Sequence, residues 1–457
     1  MDDNTANDHV LWDVMEEHFD EAQYACEELE VQLSHATLSL QDVQENIEAR
    51  LIAHVDGLVL GGDLVARQLL ATAFDADDPP EPSRTVAGAY TLMQSGQPKL
   101  AAAGLLSSNA GIRSATLRGV SLAGAKILEP WALDRFREHK EPELRATLLP
   151  LVAARLEPEV LLGFLRRDQP AALASAAVRA VTWEPRGNDV TAVESLLGHE
   201  DAEVRRAALY AGLARGSARA WSDCTKRALS GDANEAESLA LFAALSRSSQ
   251  DAGLVELLDR EEVRASGLFA LGFTGDREMV PVLLEYVAGE DRTLAKIAAQ
   301  SIQLITGLDT QADEYVLPIP PPGDPTELAP PEEDPEASES LPAIDEDDLD
   351  ASLVPIPEAA MPDPDAAAIR KQWEKLQSAF APQHKYVLGQ PLSVASLLDA
   401  LEHGRMRIRS VLALALAIRT GGQCWLDARM LIRDQRARLA ELRGLQVRSF
   451  ARQFGYT

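Results

Sequence analysis

The residues of this chain best able to do chemistry are its histidines and cysteines. The eight histidines are scattered, and the three cysteines, Cys26, Cys224 and Cys424, lie about 200 residues apart. The cysteines are odd in number and form no Cys-x-x-Cys, so neither a disulfide framework nor a zinc site is expected, and the compartment reads as reducing. His18 stands beside Glu17 and Glu21, and His54 near Asp56, which raises a carboxylate–histidine metal site. A di-iron bundle needs Glu-x-x-His twice, and neither histidine has a glutamate three residues before it. The run Asp345-Glu346-Asp347-Asp348-Leu349-Asp350 lacks the alternating ligands and central glycine of a calcium loop. No phosphate loop, dinucleotide fingerprint or nucleophile elbow is present, and Gly61-Gly62 and Gly421-Gly422 are isolated turn signals. The expectation is therefore no catalytic, cofactor-binding or metal-binding residues, and no cofactor.

With no chemistry to position, the question becomes what the elements build. The 457 residues are 46% apolar and 25% charged but only 5% aromatic. A soluble protein rich in alanine and leucine favours helices over strands, which want β-branched and aromatic side chains. Charge divides the chain. The net −29 splits into −14 over residues 1–60, −6 over 61–308, −18 over 309–365 and +9 over 366–457. So acidic a chain is not expected to bind nucleic acid or an anionic membrane. The acidic N-terminus and the lack of any apolar run near 18 residues predict neither signal peptide nor membrane span, hence a cytoplasmic protein.

Residues 309–365 hold thirteen of the 26 prolines and eighteen acids with no Lys or Arg. Proline removes donors and like charges repel, so this segment is read as a disordered acidic linker, its ends roughly 40 Å apart if it coils freely.

Residues 97–308 repeat. The clearest units are Asp201-AEVRRAALYAGLARG and Glu261-EVRASGLFALGFTGDREMVPVLLEYV, with weaker copies beginning at Asn109, Glu141, Asp168, Asp232 and Asp291. One register position falls on Arg113, Arg145, Leu173, Arg205, Ala236, Arg264 and Ala295, in steps of 32, 28, 32, 31, 28 and 31. The acidic or amide residue is expected to cap a helix N-terminus, and the leucines at three- and four-residue spacing make a stripe that only stacking can bury. Acidic-x-x-Val-Arg-x-x-Ala at this period resembles the HEAT repeat in its short, phycobilisome-lyase-like form. The resemblance implies an all-α fold, an α-solenoid of HEAT-like repeats, with the repeated arginine pairing an acid of the adjoining unit.

On either side, residues 1–96 read as an N-terminal helical cap. Residues 9–33 make an amphipathic helix with Leu11, Met15, Phe19 and Ala22 on one face. Ser39 and Asp42 resemble a capping box opening a second helix with Val43, Ile47, Leu51 and Val55 buried, which Gly61-Gly62 ends. Residues 366–457 form a basic helical region: helices at Leu392–Glu402 and from Arg405, then a long one from about Leu426 to Val447 carrying Arg429, Arg433 and Arg436. Its charge is expected to dock on the chain's own linker or N-terminal hairpin.

Three short runs, Ala49-RLIAHVDGLVLGG, Ile305-TGLD and Lys385-YVLGQPL with Arg405-MRIRSVLALALA, resemble a group of bacterial HEAT-repeat proteins often encoded beside type VI secretion components. That resemblance implies a non-enzymatic scaffold or adaptor, holding a secretion effector or spike component on its concave face. A bilin or tetrapyrrole lyase of HEAT-like build is the alternative.

Overall fold

Alanine- and leucine-rich segments bounded by Asp, Asn, Ser and Pro form helices that begin at those boundary residues, because each boundary residue supplies a cap or cannot continue a helix. The computed structural model describes residues 10–183, 190–246, 253–318 and 357–450, and they are mostly helical. The first part comprises α1 (Trp12–Gln32), α2 (Leu40–Leu60), α3 (Gly62–Gln68), α4 (Pro82–Gln94) and α5 (Pro98–Leu105). Then come α6 (Ala110–Ala123), α7 (Glu129–Glu138), α8 (Pro142–Val152), α9 (Pro158–Gly163), α10 (Ala171–Thr182) and α11 (Val190–Ser195). They continue as α12 (Ala202–Ala214), α13 (Ala218–Ala228), α14 (Ala236–Leu245), α15 (Glu261–Phe273), α16 (Met279–Val287) and α17 (Arg292–Thr306). The last part has α18 (Ala366–Leu376), strands β1 (Tyr386–Val387) and β2 (Gln390–Pro391), α19 (Val394–His403), α20 (Met406–Arg419) and α21 (Ile432–Arg443). The two strands pair antiparallel, Tyr386 opposite Pro391 and Val387 opposite Gln390.

Local signals place the N-terminal hairpin. The Ser39 backbone N–H donates to Asp42 at 2.7 Å while the Asp42 N–H donates to Ser39 Oγ at 3.3 Å, a complete capping box. Val43, Ile47, Leu51 and Val55 are all buried. After Gly61 the chain turns by 104° between Leu40–Leu60 and Gly62–Phe74, with Gly62 at φ +63°. On α1 the buried face is Phe19, Ala22, Ala25, Cys26 and Leu29; Leu11, expected on it, is 66% exposed because α1 begins only at Trp12. Among the described residues no single helix is long and apolar enough to cross a membrane.

The repeat helices follow the sequence register. Asn109, Asp201 and Asp291 accept N–H groups of the first turns of α6, α12 and α17. The other expected caps fall elsewhere: Glu141 stands before α8 without accepting any of its N–H groups, and Asp232 caps a 3-10 turn ahead of α14. Arg260 takes the position before α15, leaving Glu261 in its first turn, and Asp168 pairs with Arg166 while α10 starts after Pro170.

Packing divides the repeat helices into two runs. Helix α8 packs on α10 and α10 on α12; further on, α14 packs on α15 and α15 on α17. Helix α13 packs on both α12 and α14 and joins the runs, and α20, from residues 406–419, packs on both α12 and α14 as well. Twelve of its fourteen residues are buried, Arg409 and Arg419 among them, and residues 411–418 are apolar at every position, so no side of that stretch suits water. The sequence reading made this segment one more repeat-like helix; its burial comes instead from filling the space between existing units.

The acidic segment also differs from its reading. Val316 bridges to Pro364, the Leu317 N–H donates to Asp363 O at 2.8 Å, and the Asp365 N–H donates to Tyr315 O at 2.8 Å. The two ends of 309–365 are thus hydrogen-bonded neighbours rather than far apart, and Thr310, Glu358 and Met361 are buried. Residues 319–356, including the acidic run 345–350, lie outside the described residues. The expected final helix over about 426–447 is shorter. Asp427 accepts the Arg429 N–H in a local turn, and the helix starts at Ile432.

Candidate functional site

Runs far apart in the sequence meet at one place. The Leu388 N–H donates to Leu304 O at 2.6 Å and the Gly389 N–H to Ile305 O at 3.1 Å, laying the β1–β2 turn along the end of α17. Only glycine fits at the crossing: Gly307 has φ +73°, and a Cβ there would stand 2.6 Å from Leu388 O. Arg405, just before α20, reaches Asp309 at 3.3 Å and donates to Thr37 O at 2.8 Å. The Met406 N–H donates to Leu38 O at 2.9 Å. Ile305-TGLD, Lys385-YVLGQPL and Arg405-MRIRS therefore converge, together with the loop between α1 and α2.

The junction encloses a cleft of about 310 Å³. Gln300, Leu304 and Ile408 form its buried floor, while Asp309 and His403 stand at an exposed rim. Gln300 Nε2 donates to Ala36 O at 3.1 Å and Gln303 Nε2 to Asp309 Oδ1 at 3.1 Å. The Oε1 atoms of both amides are buried and have no hydrogen-bond partner within the protein. His403 Nδ1 lies 3.0 Å from Asp399 O, and since a carbonyl only accepts, that nitrogen carries the proton. The cleft is thus bordered by a guanidinium and an imidazole over Leu304, Leu388 and Ile408, while the two unpartnered amide oxygens are themselves shut off from solvent.

The residues singled out from sequence are placed as follows. His18 and His54 come together, Nδ1 to Nδ1 at 3.0 Å. Burial, and then the neighbouring His18, hold the His54 pKa below its ordinary value. Among the described residues no three His, Cys, Asp or Glu side chains are grouped to hold a metal. All three cysteines are buried; burial pushes the Cys26 and Cys224 thiols up to about 12 and raises that of Cys424. Such thiols are poor nucleophiles at neutral pH.

Among the described residues the repeated arginines make no ladder of carboxylate pairs. Arg113 donates to Ser107 O at 2.8 Å, Arg205 to His199 O at 2.8 Å and Arg264 to Leu258 O at 2.8 Å. In each case the guanidinium reaches back six residues to carbonyls at the end of the preceding unit, where a cation completes the chain turn. Arg145 instead lies over the rings of Phe136 and Phe164, at 4.5 and 5.2 Å.

The basic C-terminal part meets acids of the N-terminal hairpin and of the ends of the acidic segment. Arg429 pairs with Glu30 at 2.7 Å, Arg407 with Glu358 at 2.5 Å, and Arg405 with Asp309. Lys385, whose backbone bridges to Asp276, donates through Nζ to Ser246 O; burial, then the nearby Arg419, bring its pKa down to about 7.

No known family model matches the chain, and no curated protein matches it. The cleft therefore rests on its own geometry. Sequence reasoning missed Gln300 and Gln303, which look like ordinary polar positions of a repeat helix. The available signal was the clustering of short glycine-bearing runs, Thr306-Gly307 and Leu388-Gly389, whose close backbone approach needs glycine on both sides.

Proposed function

We propose that the protein is a non-enzymatic, protein-binding scaffold, an α-solenoid of HEAT-like repeats. In this reading it works in the bacterial cytoplasm as an adaptor or accessory factor of type VI secretion, holding an effector or spike component. The observation that supports it is α20. The repeat helices α12 and α14 already hold a largely buried helix of fourteen residues from elsewhere in the chain, which is the task a helical scaffold performs on a partner. Full-length protein used as bait in a lysate of its native host, followed by mass spectrometry, tests the reading. A secretion component enriched over a bead control supports it. Recovery of no protein, together with a shifted absorbance on adding a bilin or haem, would move the chain to the tetrapyrrole-lyase class.

A further inference from the structure

We propose that His18 of α1 and His54 of α2 form a binding site for one divalent transition-metal ion, which takes both imidazole Nδ1 atoms and the carboxylate of Glu21 as ligands. The site belongs to the acidic N-terminal hairpin, and the inference does not depend on the scaffold reading.

The geometry of the pair carries it. The two Nδ1 atoms face each other at 3.0 Å across the hairpin. One must hold a proton and the other a lone pair, because two N–H groups or two lone pairs would repel. A tetrahedral ion at about 2.0–2.1 Å from both nitrogens keeps them about 3.3 Å apart and the ring centres about 5 Å apart. The rings of His18 and His54 already stand 5.2 Å apart between centroids, inclined by 64°. The helices therefore stay in place, and a tilt of the rings opens the nitrogens by the few tenths of an ångström required. Gly57 makes room for this arrangement. His18 Nε2 lies against α2, where a Cβ on residue 57 would stand 2.8 Å from it, and Nδ1 is the nitrogen left to face His54.

The surroundings supply the remaining ligand and select a cation. His18 and Glu21 are three residues apart on α1 and share a face of that helix. Glu21 pairs across the hairpin with Arg50, which lies one turn before His54 on α2. The side chains of Glu21 and Arg50 are 34% and 46% exposed, so this face is open to an ion from solvent. An ion pair so exposed is weak, and its carboxylate is free to turn toward a metal. Glu17 and Glu21 both favour positive charge at His54, and Arg50 opposes them. An imidazole ligand has to be neutral, and burial, then His18, keep His54 in that form at neutral pH. As the ion enters, the shared proton moves to Nε2 of its own ring, so both imidazoles remain neutral. Two imidazoles with one carboxylate suit Zn²⁺, Ni²⁺ or Cu²⁺, whereas Mg²⁺ and Ca²⁺ require oxygen ligands.

Isothermal titration of the full-length, untagged protein with Zn²⁺ near neutral pH tests the proposal, with Mg²⁺ as the control. One Zn²⁺ should bind tightly per chain, and Mg²⁺ should give no heat. Changing a partner behind a ligand already weakens metal binding about 10- to 100-fold, so loss of a ligand itself should cost at least about tenfold. His18→Asn and His54→Asn are each expected to show that loss, with circular dichroism in EDTA confirming that they fold. Glu21→Gln, on the exposed side, touches neither ring and should also weaken binding. No binding by the wild type, or binding unchanged in both histidine variants, overturns the site. Loss in only one histidine variant overturns the paired chelate, and unchanged binding in Glu21→Gln overturns the carboxylate as third ligand.

Discussion

The carboxylate of Glu48 accepts the backbone N–H groups of Ile432 and Arg433, so a residue of α2 caps the first turn of α21 from 384 positions away. Glu48 is 1% exposed. Helix α21 has no side-chain cap of its own at Leu431, and the borrowed carboxylate supplies the acceptor that its orphan donors need.

Glu48→Ala leaves those two N–H groups without their partner, at a cost of about 1–3 kcal/mol in a denaturant or thermal melt. Burial dominates the opposing hydrogen bonds and raises the Glu48 pKa above its ordinary 4.5. The folded state then holds the proton more tightly than the unfolded chain, so this group's contribution is present below 4.5 and declines as pH rises through the folded value. Glu48→Gln should flatten that part of the profile of melting temperature against pH.

Opposite in sign is the histidine pair. His54 is held below 6.5 by burial and by His18, so the unfolded chain takes up protons first as pH falls. The wild-type melting temperature should drop as pH descends through 6.5. In His54→Asn the drop should be smaller, a difference that melts at pH values on either side of 6.5 would resolve.

Leu416 of α20 is fully buried. Leu416→Ala should cost about 2–5 kcal/mol in a single cooperative transition. A separate early transition, with the repeats melting unchanged, would show that α20 is an appendage to the core.

Gly307→Ala forces a Cβ into a left-handed position and against Leu388 O. The conformation alone costs about 1–2 kcal/mol. Gly96→Ala, at φ +72° with open space around its Cβ, should pay only that part, so comparing the two melts isolates the crossing.

Cleavage at an engineered protease site between residues 319 and 356 should leave the two fragments associated. Their junction is the apolar α20 as well as ion pairs, so they should co-elute in gel filtration even at ~0.5 M salt, where charges are screened within a few ångströms. Separation at that salt would mean that charge alone holds the C-terminal part.

What could be read from sequence was what depends on near neighbours. The Ser39–Asp42 box, the Asp201 and Asp291 caps and the burial of Val43, Ile47, Leu51 and Val55 all follow from local spacing. The apolar run of α20 announced burial equally well, but periodicity says only that a face is covered, not by what. Its insertion between α12 and α14 joins positions about 200 apart, and no local pattern encodes that. Arg113, Arg205 and Arg264 were legible as a repeated feature, yet their partners are backbone carbonyls, which every residue carries and no sequence pattern can mark. The cleft was hidden for a related reason. Gln300 and Gln303 gain meaning only from Ala36 and Asp309, one of them in the opposite end of the chain.

The position of α20 has a consequence for how the protein is made. A stack of repeats can add units in the order the ribosome delivers them, each new pair closing on the last. Here α12 and α14 emerge long before α20, which packs on both, and Arg419, the last residue of α20, donates to Ala244 at the end of α14. Until Arg419 has left the exit tunnel, the apolar sides of α12 and α14 that it will cover face water. The nascent chain therefore carries a sticky seam for the whole time needed to translate the residues between α14 and the end of α20.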